Sequence, residues 1–207
     1  MTKIIFMTSG EISYTLPGHS LYKSIEKAAS GERFPHLVKN AKKEVLKITK
    51  ALKKYQPSVI FSAPSHQTNE TAKVIAQELG LKMVVSKNLL PLRFNLKNLI
   101  TEREFNSLGD NKFKVLRVRF INNFFQDKLI DKNKEIKKRF ERLTGKILKN
   151  HKNQAVVVVS HAYIIKLFSI YHKIGNEMFK TKQKLLKMFQ PTKEPLRRLE
   201  TLVINFK

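Results

Sequence analysis

The chain has 207 residues, no cysteine and a formal net charge of +25. This length supports one sizeable hydrophobic core, and the absence of cysteine excludes disulfides, thiolate catalysis and cysteine-based zinc sites. No apolar run approaches the roughly 20 residues of a membrane span, and the N-terminus has the pattern of a core strand rather than of a secretory signal. We therefore expect a cytoplasmic protein without a membrane span.

The first half of the chain alternates short apolar runs with helical spacings. This alternation is typical of a sheet with helices on both faces. Pro17-Gly18 and Gly31 interrupt the stretch 11–35, which we expect to be loop with one helical turn at most. In chain order, we predict a strand over 3–7, that loop, a helix over 41–55, a strand over 58–62, a helix over 68–79 and a strand over 81–85.

The second half begins with a long region that has helical spacings and no strand pattern. We interpret residues 96–152 as a helical insertion. The predicted elements after it are a strand over 155–159, a helix over 162–171, a basic amphipathic segment over 179–189 and a closing strand over 201–206. The expected fold is α/β: a three-layer αβα sandwich with a mostly parallel central sheet, in a single domain over 1–207.

Three polar motifs follow the predicted core strands. Thr8-Ser9-Gly10-Glu11 follows the first strand, and Ser160-His161-Ala162 follows the strand over 155–159. Between them, residues 62–72 read Ser-Ala-Pro-Ser-His-Gln-Thr-Asn-Glu-Thr-Ala. In this order and at these spacings, the chain resembles the histidine phosphatase (phosphoglycerate mutase-like) superfamily. The resemblance implies a phosphate pocket at the carboxyl ends of the strands, where open α/β sheets generally bind ligands.

The resemblance also implies that most of the catalytic groups are missing. The family begins with Arg-His-Gly-Glu, and this chain has Thr8 and Ser9 at the Arg and His positions. Gln67 stands where the second motif has a phosphate-binding Arg, and Leu92 stands where the family has its acidic proton donor. His161, at the late phosphate-binding histidine, is retained. The chain is therefore identified as a degenerate member of the superfamily.

The resemblance assigns a set of residues to a vestigial pocket. We give no residue a catalytic role, although Ser9 and His161 occupy the positions from which a serine and a base could act. No His, Asp or Glu spacing resembles a metal site, and no cofactor is expected. The expected phosphate-binding residues are Thr8, Ser9, Gly10, Ser62, Gln67 and His161, with His19, His66 and Arg93 at the pocket rim.

The excess of positive charge is a second candidate for function. A strongly basic surface attracts polyanions such as RNA. Lysine outnumbers arginine by 32 to 9, however, which is also typical of a composition bias that implies no partner. The candidate polyanion-binding residues are Lys137, Lys138, Arg139, Lys180, Lys182, Lys184 and Lys187.

These observations favour a catalytically inactive pseudophosphatase that binds a phosphorylated small molecule or a polyanionic partner. One alternative is a phosphomonoesterase or mutase with a rearranged site, using His161 with His66 or His19. A further alternative is a basic structural subunit of a ribonucleoprotein assembly. The sequence indicates no oligomeric state.

Overall fold

A computed structural model of the chain describes residues 1–181, 183, 188 and 198–206. Three of the candidate polyanion-binding lysines, Lys182, Lys184 and Lys187, lie outside these residues, as does most of the basic segment over 179–189. The helices and strands are β1 (Thr2–Thr8), α1 (Leu21–Ser30), α2 (Ala41–Leu52), β2 (Pro57–Ser62), α3 (His66–Leu79), β3 (Met83–Val85), α4 (Glu102–Ser107), α5 (Lys112–Phe125), α6 (Asn133–Asn150), β4 (Ala155–Ser160), α7 (Ala162–Ile174) and β5 (Thr201–Phe206).

The strands form one sheet in the order β3-β2-β4-β1-β5. The pairs β1–β4, β2–β4 and β2–β3 are parallel, and β5 runs antiparallel to β1 at the edge. In this register Thr8 is opposite Ser160, and Ser62 is opposite Val159. The carboxyl ends of β1, β2 and β4 therefore meet at one edge of the sheet, and the predicted α/β fold with a mostly parallel sheet is confirmed.

The central strands are buried on both faces because their apolar residues alternate between two cores. Ile4 and Phe6 of β1 belong to a core with apolar residues of α5, α6 and α7. Ile5 and Met7 belong to a second core with residues of α2 and α3. This period of two, in a strand whose four central residues are all apolar, is what a central parallel strand needs when helices cover both of its faces.

Helix α1 corrects the sequence prediction, which placed a loop over 11–35. The Ser20 side chain caps α1 by accepting a hydrogen bond from the Lys23 N–H. Gly31 ends the helix in the left-handed conformation, at φ 86°. The glycine that we interpreted as a sign of loop is therefore a helix C-cap, where its freedom to adopt positive φ is required.

Smaller differences concern where elements begin. Helix α3 starts at His66, two residues before the predicted Thr68, and β3 is restricted to Met83–Val85. The predicted helical region over 96–152 contains α4, α5 and α6. Among the described residues, none of the helices is both long enough and apolar enough to cross a membrane.

Candidate functional site

Two helices begin at the sheet edge where the strands end. Helix α3 follows β2 after a short turn. Helix α7 follows β4 with a single residue, His161, between the strand and the helix. Ser65, the residue before α3, has its Oγ 2.8 Å from Nε2 of His161. Because β2 and β4 are neighbours in the sheet, this contact joins the N-termini of the two helices across 96 residues of sequence.

Ser65 also anchors a short chain of buried hydroxyl groups. Its Oγ lies 2.6 Å from Thr68 Oγ1, and that hydroxyl is within 3.0 Å of the Ala63 and Ser65 carbonyl oxygens. The sequence analysis missed Ser65. The signal available was its position before the helix, where serine is a frequent N-cap residue.

His161 is held in its neutral form at this position. Burial, together with the positive charge of Arg139, lowers the pKa of His161 to about 4. A neutral imidazole with so low a pKa is a weak general base at pH 7.

The N-termini of α3 and α7 lack the side-chain caps found on α1 and α4. Neither Ser65 nor His161 makes a side-chain capping bond, whereas Ser20 caps α1 and Thr101 caps α4. The first N–H groups of a helix have no partner within the helix, and together with the helix dipole they attract anions. Two uncapped N-termini at one edge of the sheet form a site suited to an anion.

Gln67 adds a second, independent feature in the first turn of α3. Only 5% of the residue is exposed, and its Oε1 has no hydrogen-bond partner among the described residues. Buried polar groups are normally paired, so such a group requires an explanation. As placed, Oε1 would need a donor from a ligand, whereas an anion would pair with Gln67 only if the amide were rotated to present its N–H₂ group.

Two expected phosphate-binding groups are occupied by protein contacts. The Gly10 N–H donates to Thr71 Oγ1 at 3.1 Å, and the Ser62 hydroxyl donates to the Ala63 carbonyl at 2.8 Å. Both donors are therefore engaged within the protein, and phosphate binding by Gly10 and Ser62 stays a prediction. Gly10 instead allows close packing, since a Cβ there would lie 3.1 Å from a methyl carbon of Val45.

Thr71 fixes the loop after β1, and its replacement by valine should lower stability. Thr71 is fully buried, accepts from Gly10 and donates to the Gln67 carbonyl at 2.7 Å. Valine would leave the buried Gly10 N–H unpaired, which typically costs about 1–3 kcal/mol. Chemical denaturation of Thr71→Val measures the loss.

Thr49→Val is the matched control for this prediction. Thr49 is also fully buried in a helix, and its hydroxyl donates only to the Val45 carbonyl one turn earlier. Since no buried N–H depends on Thr49, we expect its replacement to cost clearly less. Equal losses in the two variants would contradict the role assigned to Thr71.

The expected core of the pocket is partly assembled at the sheet edge. Thr8 is buried opposite Ser160 in the register, and Ser9 is partly exposed directly after β1. Among the described residues, none forms a hydrogen bond with the Ser9 hydroxyl. Leu92 is 4% exposed and packs in the core with α5, α6 and α7. An aliphatic side chain in a core supplies no proton.

The three residues expected at the pocket rim do not converge. His66 begins α3, and its ring stacks on that of His36 at a centroid distance of 4.3 Å. His19 bonds the carbonyl of Pro17 in its own turn at 2.9 Å. Arg93 pairs with Asp131 at 2.8 Å and faces a separate cavity.

The nearby carboxylates are also engaged. Glu11 forms an ion pair with Arg198 at 2.6 Å. Burial acts to raise the pKa of Glu70, but hydrogen bonds from His36 and from the Leu37 N–H outweigh it and hold that pKa below its ordinary value. Glu70 is therefore ionised at neutral pH and provides no acid. Within the described part of the chain, no group of three or more His, Asp or Glu residues could hold a metal ion.

The described residues of the candidate polyanion surface are locally compensated. Lys137, Lys138 and Lys180 lie 3.7, 3.5 and 3.3 Å from a glutamate of the same helical segment. Arg139 is mostly buried rather than on the exposed surface, and its role in binding a polyanion stays a prediction. Its side chain is 14% exposed and bonds the carbonyls of Asn88 and Leu90.

A comparison with family models agrees with this architecture. A model described as the histidine phosphatase superfamily (branch 1) matches residues 20–183. The chain belongs to the histidine phosphatase superfamily. No curated protein matches it.

Solved structures share the fold at low sequence identity. A Bacillus stearothermophilus protein, YhfR, is 12% identical, with a TM-score of 0.62 over 100% of this chain and 92% of its own. A mutant phosphoserine phosphatase from Entamoeba histolytica, in complex with phosphoserine, is 18% identical, with a TM-score of 0.59 and the same coverage. Mycobacterial glucosyl-3-phosphoglycerate phosphatase is 14% identical, with a TM-score of 0.65 over 98% of this chain and 92% of its own.

Proposed function

We propose that this histidine phosphatase superfamily protein binds a phosphorylated small molecule without turning it over. The observation that carries the proposal is the meeting of two uncapped helix N-termini, α3 and α7, at the sheet edge. Backbone N–H groups with the helix dipoles behind them bind phosphate without a side-chain cation. The buried amide of Gln67 supports the same conclusion, because rotating it would turn an N–H donor toward an anion.

The lack of turnover is inferred from the residues at the catalytic positions. A dianionic phosphoryl group needs fixed cations, an in-line nucleophile and an acid for the leaving oxygen. The resemblance places Thr8 and Gln67 at the two positions where the family has a phosphate-binding arginine, and Ser9 at the position of the nucleophilic histidine. The acid position falls on Leu92, which packs in a core. His161 has a pKa of about 4 and is already bonded to Ser65, which makes it a poor activator of Ser9.

The structural relatives suggest which ligands to test. The Entamoeba histolytica phosphoserine phosphatase has phosphoserine bound in the structure of its mutant and 3-phosphoglyceric acid bound in another structure. Phosphoserine, 3-phosphoglycerate and inorganic phosphate are therefore suitable probes for this chain.

Gln67→Glu tests the proposal by placing a negative charge where the phosphate would lie. Glutamate has nearly the shape of glutamine, and the dipole of α3 offsets part of the cost of burying its carboxylate, so the fold of the variant is checked by circular dichroism before binding is measured. We expect at least tenfold weaker binding of phosphoserine, measured by titration calorimetry. The matched control is Gln77→Glu, at the exposed opposite end of the same helix, which should bind like the wild type.

The outcome also separates this proposal from its alternatives. Equal binding by the Gln67 and Gln77 variants, both folded by circular dichroism, would contradict a site at the start of α3. Phosphate release during the titration would favour the rearranged phosphomonoesterase instead.

A polyanionic partner is the second proposal, and it is supported by the net charge of +25. Nearby glutamates compensate part of the charge of Lys137, Lys138 and Lys180, which makes the candidate polyanion surface less attractive to an anion. Binding to RNA that falls steeply between about 50 and 200 mM salt would favour this role, since lysine contacts release counterions from phosphates. RNA that stays unbound at low salt would exclude it.

A further inference from the structure

A cavity, which we call the side cavity, lies beside the anion site at the N-termini of α3 and α7, which we call the strand-end site (Ser65, Gln67 and His161). Its walls are the C-terminal end of α1, the loop after β3 and the first turns of α6, and its volume is about 470 Å³. This volume lies within the range of small-molecule sites. The ring of Phe34 lines the cavity and lies 6.2 Å, centroid to centroid, from the ring of His161. The two sites are therefore neighbours that share one aromatic residue at their boundary.

The side cavity has an excess of positive charge. Three cations line it: Lys87, Arg93 and Arg139. Asp131 is the carboxylate that compensates part of this charge, and it contacts both arginines. The remaining lining carboxylate, Glu135, lies 3.5 Å from Lys138 and is neutralised there. Three cations and two carboxylates among the lining residues leave a net formal charge of +1 at the cavity, and Lys87 is the lining cation that has no ion pair with a described residue.

The two arginines are fixed in place before any ligand binds. Arg93 donates from Nε and Nη2 to one oxygen of Asp131, at 3.0 and 2.8 Å, and its backbone N–H donates to the other oxygen at 2.8 Å. Arg139 bonds two carbonyls of the loop after β3. Cations held in this way lose little conformational entropy on binding an anion. The Arg93 side chain is still 53% exposed, so it remains accessible.

Another part of the cavity wall is apolar. Phe34, Leu90 and Pro91 line the cavity next to the cations. A few fixed polar groups beside aromatic and aliphatic surface are typical of sites that bind small organic molecules. An inorganic ion would use only the cationic part of such a cavity.

We propose that the side cavity binds a small organic anion, with its acid group on Arg93 and Lys87 and its apolar body against Phe34. The site is separate from the strand-end site and does not depend on phosphate binding there. It requires no chemical step, only binding.

Phenylphosphonate is a suitable probe because it carries an acid group on an apolar ring and contains no ester to hydrolyse. In amide NMR spectra of the full chain, we expect it to shift the signals of residues 87–93 and 131–139. Inorganic phosphate should bind this site at least fivefold more weakly, because it lacks the apolar body, and benzyl alcohol should not bind it, because it lacks the charge.

Two variants test the cations. Arg93→Gln should weaken phenylphosphonate binding by about tenfold, the loss expected for a charge-assisted hydrogen bond. Lys87→Ala should weaken it by about threefold and leaves the Asp131 network intact, so it keeps the test decisive if Arg93→Gln fails to fold. Lys82→Ala is the matched control, since Lys82 is exposed just before β3, whereas Lys87 lies just after it.

Equal affinities of wild type, Lys87→Ala and Lys82→Ala would overturn the proposal. So would shifts confined to the residues around Ser9, Gln67 and His161, which would place the probe in the strand-end site. Binding of benzyl alcohol as tight as that of phenylphosphonate would also overturn it, because the cations would then contribute nothing.

Discussion

Acidification from pH 6.5 to pH 4 should lower the free energy of unfolding of the wild type by about 3 kcal/mol more than that of His161→Gln. The pKa of His161 is about 4 in the folded protein, against an ordinary value of 6.5. Between these values the unfolded chain binds a proton that the folded chain does not, so stability falls as pH falls. The size follows from about 1.4 kcal/mol for each pKa unit.

Chemical denaturation of both proteins at several pH values measures this difference. The comparison with the variant is necessary because protonation of carboxylates with lowered pKa values, such as that of Glu70, also lowers the free energy of unfolding in acid. Equal pH dependence in wild type and variant would show that His161 titrates near its ordinary pKa. It would then be charged at mildly acidic pH, and the account of a neutral imidazole at the site would be wrong.

Bound phosphate should act on the same histidine in the opposite direction. An anion at the N-termini of α3 and α7 favours the protonated imidazole, so the pKa of His161 should rise when inorganic phosphate is added. An NMR pH titration of the His161 ring protons, with and without inorganic phosphate, measures this rise. The pKa without phosphate reports on the burial of the ring, and the rise with phosphate reports on the occupancy of the site.

Local pattern was enough to predict the sheet and most of the helices. The strands over 3–7, 58–62 and 155–159 each contain a run of at least three consecutive apolar residues and end beside polar residues, as buried parallel strands do. Helix α1 was missed because the residues that bound it were interpreted as breakers. Pro17 and Gly18 lie before its N-cap, and Gly31 is its C-cap. Glycine and proline occur both in loops and at the ends of helices. Only their order relative to the residues between them distinguishes the two cases.

The site was harder to predict because its contacts join distant parts of the sequence. The bond between Ser65 and His161 spans 96 residues, and that between Gly10 and Thr71 spans 61. No local pattern predicts either bond, and the resemblance indicated only which positions to examine. It could not show that the Gly10 N–H is already used by Thr71.

The position of Arg139, by contrast, was available from helical geometry. It lies three residues after Ile136 and four before Leu143, both of which are buried in the core. Residues three and four apart share one face of a helix, so Arg139 flanks the buried face of α6. Grouping it with Lys137 and Lys138 by charge alone placed it on the wrong side.

The second large effect expected is the absence of phosphatase activity. Removing one electrostatic contact to a transition state typically lowers kcat by about 100- to 1000-fold. The resemblance implies that two cations, the nucleophile and the acid are missing together, and such losses are not additive. We therefore expect the rate of the wild type to equal the background, with no dependence on Ser9 or His161.

Phosphate release distinguishes a protein that only binds phosphomonoesters from one that hydrolyses them. Wild type, Ser9→Ala, His161→Ala and the double variant should be incubated with phosphoserine, 3-phosphoglycerate and a broader set of phosphomonoesters. We expect wild type to bind phosphoserine and to release no more phosphate than the double variant. Turnover in the wild type that either single substitution abolishes would contradict the account and would identify a rebuilt active site around Ser9 and His161.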